Sequence, residues 1–294
     1  MSWEFHKLRL RMKTDMHCGS LVLGFVARAF PYVPQHVPLY AAVPAAVEAL
    51  NLPPESSSFR EMEELLLPAM RSTPLYVLCD DRPVFPWETQ DRERLEVEFM
   101  SSRYGVALDD ASRSAEEGRL FETEGLLARR RGSMQATQLE GGIWLRECET
   151  ARLRLDPRTG LARKDGSASI DWPSLLGRLT LGGDRTRNLG HLWPDVVWEA
   201  CDSLWHFDEM AQDAAWPRLR LAAKRPCPVP LVADATHGSG HFAIMTGRRF
   251  NRESYLMDAG TVAWQPGWQS AHDVLIELAG ERCARVCAPD GETT

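Results

Sequence analysis

The chain has 294 residues, 44% hydrophobic and 26% charged, the composition of an ordinary globular protein with room for one large core or two small ones. No apolar run approaches the roughly 20 residues that span a bilayer, and Met1 to Lys13 alternates charged and apolar residues without a signal-peptide core, so a cytoplasmic protein with no membrane contact is expected. A formal net charge of −7 excludes a uniformly basic nucleic-acid binder but permits a local basic groove on an acidic protein.

Residues 3–14 have the period of a strand, with Leu8, Leu10 and Met12 on a buried face and Arg9, Arg11 and Lys13 on a wet one. Asp15 to Ser20 is a turn-rich exit. Residues 38–50, rich in alanine and leucine after Pro34 and Pro38, predict a helix that ends near Asn51-Leu52-Pro53-Pro54. A second, acidic helix is expected over 58–71, interrupted by Pro68. Leu75 to Cys79 reads as a buried strand, and Leu95-Glu96-Val97-Glu98-Phe99 alternates as another. Residues 101–120 are polar without a period and predict a mobile loop. Residues 125–155 predict a hairpin region, from the spacing of Ile143 with Leu145 and Leu153 with Leu155, followed by a turn at Asp156 to Gly160.

Ser169 or Asp171 can cap a short helix with Pro173 in its first turn and Leu175, Leu176 and Leu179 on its buried face, closed by Gly182 and Gly183. The last hundred residues form a second, proline-rich unit with a strand at Thr261 to Trp264, a turn at Pro266-Gly267, and a strand or helix at Val274 to Leu278. Short strands and helices intermix without long helical crossovers, which is an α+β pattern. The expected domains are 1–192 and 193–294. Seven cysteines without a Cys-x-x-Cys pair imply reduced, mostly buried thiols.

Charge is clustered. Glu55, Glu61, Glu63 and Glu64 make an acidic segment, which should face away from any bound nucleic acid. Arg129, Arg130, Arg131, Arg185, Arg187, Lys224, Arg225, Arg248 and Arg249 fall in basic clusters. The most informative stretch is Leu181-Gly182-Gly183-Asp184-Arg185-Thr186-Arg187-Asn188-Leu189-Gly190. Its glycines reach positive φ and let another chain come close. Arg185 and Arg187 offer guanidinium forks to phosphate oxygens, Thr186 and Asn188 add small hydrogen-bonding groups, and freed amides can form an anion-binding nest. Neither a dinucleotide fingerprint nor a Walker loop is present. Taken alone, the stretch is also what a plain glycine-rich turn after a helix looks like.

The same stretch resembles the glycine-rich loop of the CRISPR-associated RAMP superfamily (repeat-associated mysterious proteins). Met16-His17-Cys18-Gly19-Ser20 is similar to that family's exit from its first strand, and Tyr32-Val33-Pro34 to the approach to its first helix. Leu139-Glu140-Gly141-Gly142-Ile143-Trp144 and Gly247-Arg248-Arg249-Phe250 resemble segments of the subgroup that caps the five-prime end of the guide RNA in type III effector complexes. The likeness is scattered over most of the chain and concentrated at 181–190. Gln35 and Asn188 stand where the family commonly has glycine, and asparagine tolerates the left-handed region better than most residues.

The resemblance implies ferredoxin-like (RRM-like) units with antiparallel sheets, a glycine-rich loop and long insertions. It implies a non-catalytic, cofactor-free subunit of an antiviral ribonucleoprotein. Its partners would be the crRNA five-prime handle, a neighbouring RAMP backbone subunit and the large polymerase-like signalling subunit. The RNA-binding set it suggests is Gly182, Gly183, Arg185, Thr186, Arg187, Asn188 and Gly190, with His17, Arg129, Arg130, Arg131, Arg248 and Arg249.

Other chemistry has candidates. A relative in the superfamily cuts guide-RNA precursors with a histidine, for which His6, His17 and His191 are on offer; His17, in the turn after the first strand, is the catalytic candidate against a packing role beside RNA. Backbone subunits cut target RNA with a loop aspartate, as Asp80-Asp81 or Asp109-Asp110 would have to. His237, His241, Cys283 and Cys287 number enough to hold zinc, but the histidines sit in a glycine loop and the cysteines lack the tight spacing of a structural site, so no metal is expected. The spacing at His237-Gly238-Ser239-Gly240 is not that of a nucleophile elbow. Trp3, Trp144, Trp264 and Trp268 can stack on bases or pack in the core.

Overall fold

The computed structural model describes residues 2–23, 25–108, 115–183, 187–205, 207–211, 215–233, 238–245, 248–250, 255–257, 261–280 and 282–287. The first strand, β1 (Glu4–Arg11), buries Leu8 and Leu10 on one face. Its opposite face is partly wet at Lys7, Arg9 and Arg11, while Trp3 and Phe5 are covered by a second core. A hairpin of β2 (Gly19–Leu23) and β3 (Val26–Ala29) follows. Helix α1 (His36–Ala49) takes Pro38 into its first turn and buries Leu39, Ala42, Val43 and Ala46. Helix α2 (Ser56–Leu66) stops before Pro68 and buries Met62, Leu65 and Leu66, while Glu63 and Glu64 stay outside.

Next come β4 (Met70–Ser72), β5 (Tyr76–Cys79) and β6 (Arg82–Pro83). The β5–β6 hairpin turns on Asp80 and Asp81, at φ 53° and 60°, the paired positive values of a two-residue loop matched to strand twist. Helix α3 (Thr89–Arg94) runs directly into a π-helical turn, Leu95–Phe99. The alternation over 95–99 pointed to a strand; the structure overrules it because Leu95 and Phe99, four apart, are the buried pair, while Val97 is 59% exposed. The expected loop at 101–120 is also overturned. It forms most of a long hairpin, β7 (Met100–Leu108) and β8 (Ala115–Leu126), whose tip lies outside the described residues. Strand β9 (Gln138–Leu145) follows, then β10 (Cys148–Glu149), β11 (Leu153–Asp156), β12 (Gly160–Arg163) and β13 (Ser169–Ile170), which make a small meander around the expected Asp156–Gly160 turn.

Helix α4 (Trp172–Leu176) is capped by Asp171, which accepts from the Ser174 amide at 2.7 Å; Ser169 is in β13 instead. Its apolar face is the expected one, with Leu175, Leu176 and Leu179 at 1% exposure or less. Gly177, not Gly182 or Gly183, terminates it. Strand β14 (Val197–Ala200) then pairs with β1. The main sheet runs β14-β1-β9-β5-β6, with β4 also on β9, and every neighbouring pair in it is antiparallel. With α1 between β1 and β5 and α4 between β9 and β14, the order is 4-1-3-2 in a βαββαβ unit, which is the ferredoxin-like arrangement. The hairpin sheet β2-β3-β8-β7 is an insertion in that unit.

Beyond it lie β15 (Phe207–Ala211), β16 (Arg218–Leu221), β17 (Leu231–Val232), β18 (Phe242–Met245), β19 (Arg248–Phe250), β20 (Tyr255–Met257), β21 (Thr261–Trp264), β22 (Val274–Glu277) and β23 (Arg285–Cys287). The Val274 segment, open between strand and helix, is thus a strand. Leu219, Leu221, Val229 and Ile276 join Trp3, Phe5, Trp144 and Trp268 in the second core. Trp3, Trp144 and Trp268 are therefore packing residues, and Trp264 stacks on Phe242 at 3.6 Å. All seven cysteines are free thiols; burial pushes Cys18 and Cys227 up to about 12. Among the described residues, no helix is long and apolar enough to cross a membrane.

Candidate nucleic-acid interface

The chain leaving β1 does not turn away at once. Met12 bridges to Leu192, Met16 to Leu126 and His17 to Gly183, so this exit segment lies between the hairpin insertion and the 182–190 loop. The loop closes on itself where the Leu181 amide donates to the Gly190 carbonyl at 2.9 Å. It is pinned to the exit by Gly183 N–H to His17 O and Gly190 N–H to Asp15 O, both 2.8 Å. These contacts explain two of the glycines. Gly182 sits at φ +84° with no room for a Cβ against His17 O, and Gly190 at φ +79° with none against Leu181 O. Asn188 takes φ 62°, so asparagine here adopts the left-handed conformation a glycine would. Arg185 and Thr186 lie outside the described residues.

Arg187 is exposed, and its guanidinium lies over the Phe121 ring at 4.7 Å, which fixes it between the loop and β8. Together with Asn188 it lines a groove of about 500 Å³ whose other cations are Lys13, Arg103, Arg129 and Arg131. Asp15 is the carboxylate among the described lining residues, and it is held by Arg103 and by the Ala128 amide at 2.7 Å. The sequence reading missed Lys13 and Arg103. Lys13 continues the basic face of Arg9 and Arg11, a usable signal, whereas Arg103 sat in a segment read as loop.

The arginine triplet divides. Arg129 bridges to Ala136, the chain turns from Arg131 onward, and Arg129 and Arg131 line the groove while Arg130 does not. Arg129 donates to Met134 O at 3.0 Å and Arg131 to Val97 O at 3.2 Å, and both are exposed in the groove. Arg130 instead binds Glu98 at 2.5 Å and Asp80 at 3.3 Å, so its guanidinium is already neutralised. Arg248 and Arg249 lie in the β19–β20 ribbon, and no described strand pairing connects that ribbon to the loop. The acidic helix α2 contributes nothing to the groove; its Glu61 pairs with Arg152.

A second cleft, of about 300 Å³, opens beside the groove and shares Asp15, Arg103, Arg187 and Leu189 with it. His17 and Tyr104 both line it. His17 Nδ1 lies 2.6 Å from Glu124 O; a carbonyl only accepts, so Nδ1 donates, which fixes the orientation of the ring. The other histidines are elsewhere. His6 stacks on Trp198 at 4.2 Å, and burial lowers its pKa; His191 sits at the loop base opposite Thr180. Asp81 pairs with Arg9 at 3.0 Å as Asp80 does with Arg130, both in the tight turn, while Asp109 and Asp110 lie outside the described residues. Among the described residues no three His, Cys, Asp or Glu converge as metal ligands; His237 is outside them, Cys283 is buried, and Cys287 lies against Glu277.

No protein-family model matches the chain, and no curated protein does. Solved structures show a distant likeness. A chain of the type III-B Cmr-beta complex bound to cognate target RNA and AMPPnP, in state 1, is 9% identical at a TM-score of 0.49, over 95% of this chain and 99% of that one. A chain of Cmr-beta bound to cognate target RNA is 12% identical at a TM-score of 0.41, over 90% of this chain and 86% of that one. At scores this low neither likeness assigns a role to this chain, and the groove has to be read from its own residues.

Proposed function

We propose that this chain is a guide-RNA-binding subunit of a type III CRISPR effector complex, without an active site of its own, holding the crRNA five-prime handle beside the first backbone subunit and the large polymerase-like subunit. The observation that carries the reading is the groove: the glycine-rich loop that resembles the RAMP loop lies against Lys13, Arg103, Arg129 and Arg131. A cationic trough of that kind follows a phosphodiester backbone and reads no sequence by itself. It also reconciles RNA binding with a net charge of −7, since the carboxylates of α2 sit away from it. Measuring the affinity of the chain for handle RNA across a salt series tests this. Three to four phosphate contacts give a log–log slope of about −2 to −3 on a single strand. Affinity that is absent, or indifferent to salt, would count against the reading.

One observation favours a second reading, a metal-independent endoribonuclease. His17 lines an open cleft beside the groove with its ring oriented by the Glu124 carbonyl, the placement a general acid or base needs. That reading requires purified protein to cleave repeat RNA in EDTA and to lose cleavage in His17→Phe. Intact RNA in wild-type reactions sinks it.

A further inference from the structure

The main sheet packs α1 and α4 on one face, where Leu8 and Ile143 point into the first core. RNA-recognition modules built on a four-stranded sheet of this kind stack bases on aromatic side chains of the sheet. Here the face away from the helices carries aromatic rings at its centre. Phe5 on β1 and Trp144 on β9 stand directly opposite each other on two adjacent inner strands, with ring centroids 4.6 Å apart. Yet Phe5 is 3% exposed and Trp144 is fully buried, because the chain's own C-terminal strands lie over them with Leu204, Leu219, Leu221, Trp268 and Ile276. Gly142, on the same face as Trp144, has no side chain, and Leu204 comes in beside Phe5 where a Cβ would stand.

One buried cation fastens this cover. Arg71, opposite Trp144 on β4 and 4% exposed, donates through Nε to Leu278 O at 3.0 Å and through Nη2 to Ala279 O at 3.4 Å, both on the covering side. Its Nη1 stays on the near side, at Met70 O (2.7 Å) and Leu67 O, and its guanidinium lies over Trp216 at 4.3 Å. The covered face also keeps unmet polar groups. The indole N–H groups of Trp144 and Trp268 have no acceptor among the described residues, whereas Trp172, in the first core, donates to Asp156 O at 3.0 Å. A buried donor without a partner favours any state in which water or a ligand reaches it.

From this arrangement we infer that the C-terminal strands are an autoinhibitory cover over a base-stacking platform of Phe5 and Trp144, with Arg71 as its latch. The closed chain leaves the groove as its surface for RNA, whereas the uncovered sheet takes a single strand by stacking on its bases. Cover and latch stand independently of the groove and of the RNA-binding reading drawn from it.

Hydroxyl-radical footprinting of the full chain, read by mass spectrometry, follows each ring separately. In wild type Phe5, Trp144 and Trp172 should all be protected. Arg71→Met keeps an unbranched stem beside Trp216 and removes the hydrogen bonds of the latch. Oxidation of Phe5 and Trp144 should then rise several-fold while Trp172, on the helix side, stays protected. The variant should also gain about 5- to 150-fold in preference for oligouridylate over an abasic ribose-phosphate strand of the same length, the range for one stacked base. Unchanged protection of Phe5 and Trp144 overturns the latch. Oxidation of Trp172 together with them means a single core with no separable cover, and overturns it as well. Exposure without the gain in base preference overturns the platform. Rising urea on the wild type tests the cover without any substitution: Phe5 and Trp144 should become reactive before Trp172, and the reverse order or coincidence contradicts it. Absence of salt-dependent binding by the wild type would sink the groove and leave the footprint result standing.

Discussion

Replacing Arg129 and Arg131 together, and Arg130 by itself, separates neighbours that sequence alone treats as one basic cluster. Arg129 and Arg131 line the groove, while Arg130 is held by Glu98 and Asp80. On a single strand each lost phosphate contact removes about 0.7 from the log–log salt slope, so Arg129→Ala/Arg131→Ala should lower its magnitude by about 1.4. Arg130→Ala should leave the slope unchanged. It should instead destabilise the fold by up to about 1 kcal/mol, because the partly buried Glu98 and the exposed Asp80 lose their partner. For a chain of this size that is roughly 2 °C in the melting midpoint. Fluorescence anisotropy of a labelled single-stranded RNA at several salt concentrations, with a thermal melt of each variant, reads both effects. If Arg130→Ala flattens the slope as much as the double variant does, the assignment of faces is wrong.

Other substitutions test the framework. Gly190→Ala should cost at least roughly 3 kcal/mol, because positive φ combines with overlap on Leu181 O, whereas Gly132→Ala, at φ +85° in open space, should cost only about 1 kcal/mol; chemical denaturation distinguishes them. Asp171→Ala should remove about 1 kcal/mol by uncapping α4, by the same assay. Burial, with Arg282 nearby, lowers the pKa of His36 from 6.5 to about 4. The unfolded chain therefore takes up a proton between those values that folded His36 refuses, and stability present above pH 6.5 should fall by about 3 kcal/mol as pH drops to 4. In His36→Gln that decline should be shallower, and an unchanged decline would assign it to other groups.

Much of the ferredoxin-like unit was legible where burial imposes a period. The Leu8-Leu10-Met12 alternation marks β1, alanine spacing after Pro38 marks α1, and the Asp171-Trp172-Pro173 start marks α4. The errors fell where period and burial part company. Over 95–99 a strand and a helical turn both place Leu95 and Phe99 on one side, and only the exposure of Val97 decides between them. The β7–β8 hairpin is stabilised by its own ladder and leaves Tyr104 and Val106 in water, so it shows no apolar stripe. Of the loop glycines, Gly182 and Gly190 take the positive φ expected of them while Gly183 does not, and Gly182 admits His17 O where a helix end was expected. The partition of Arg129 to Arg131 needs the carboxylates of Glu98 and Asp80, distant in sequence, to be known as neighbours.

The most direct test of the account is photo-crosslinking of 4-thiouridine-labelled handle RNA to the chain, with the modified peptides located by mass spectrometry. Crosslinks should fall in 13–18, 101–106, 129–134 and 187–190, segments that meet at the groove and its neighbouring cleft. Crosslinks confined to other surfaces, such as the acidic helix Ser56–Leu66, would contradict it.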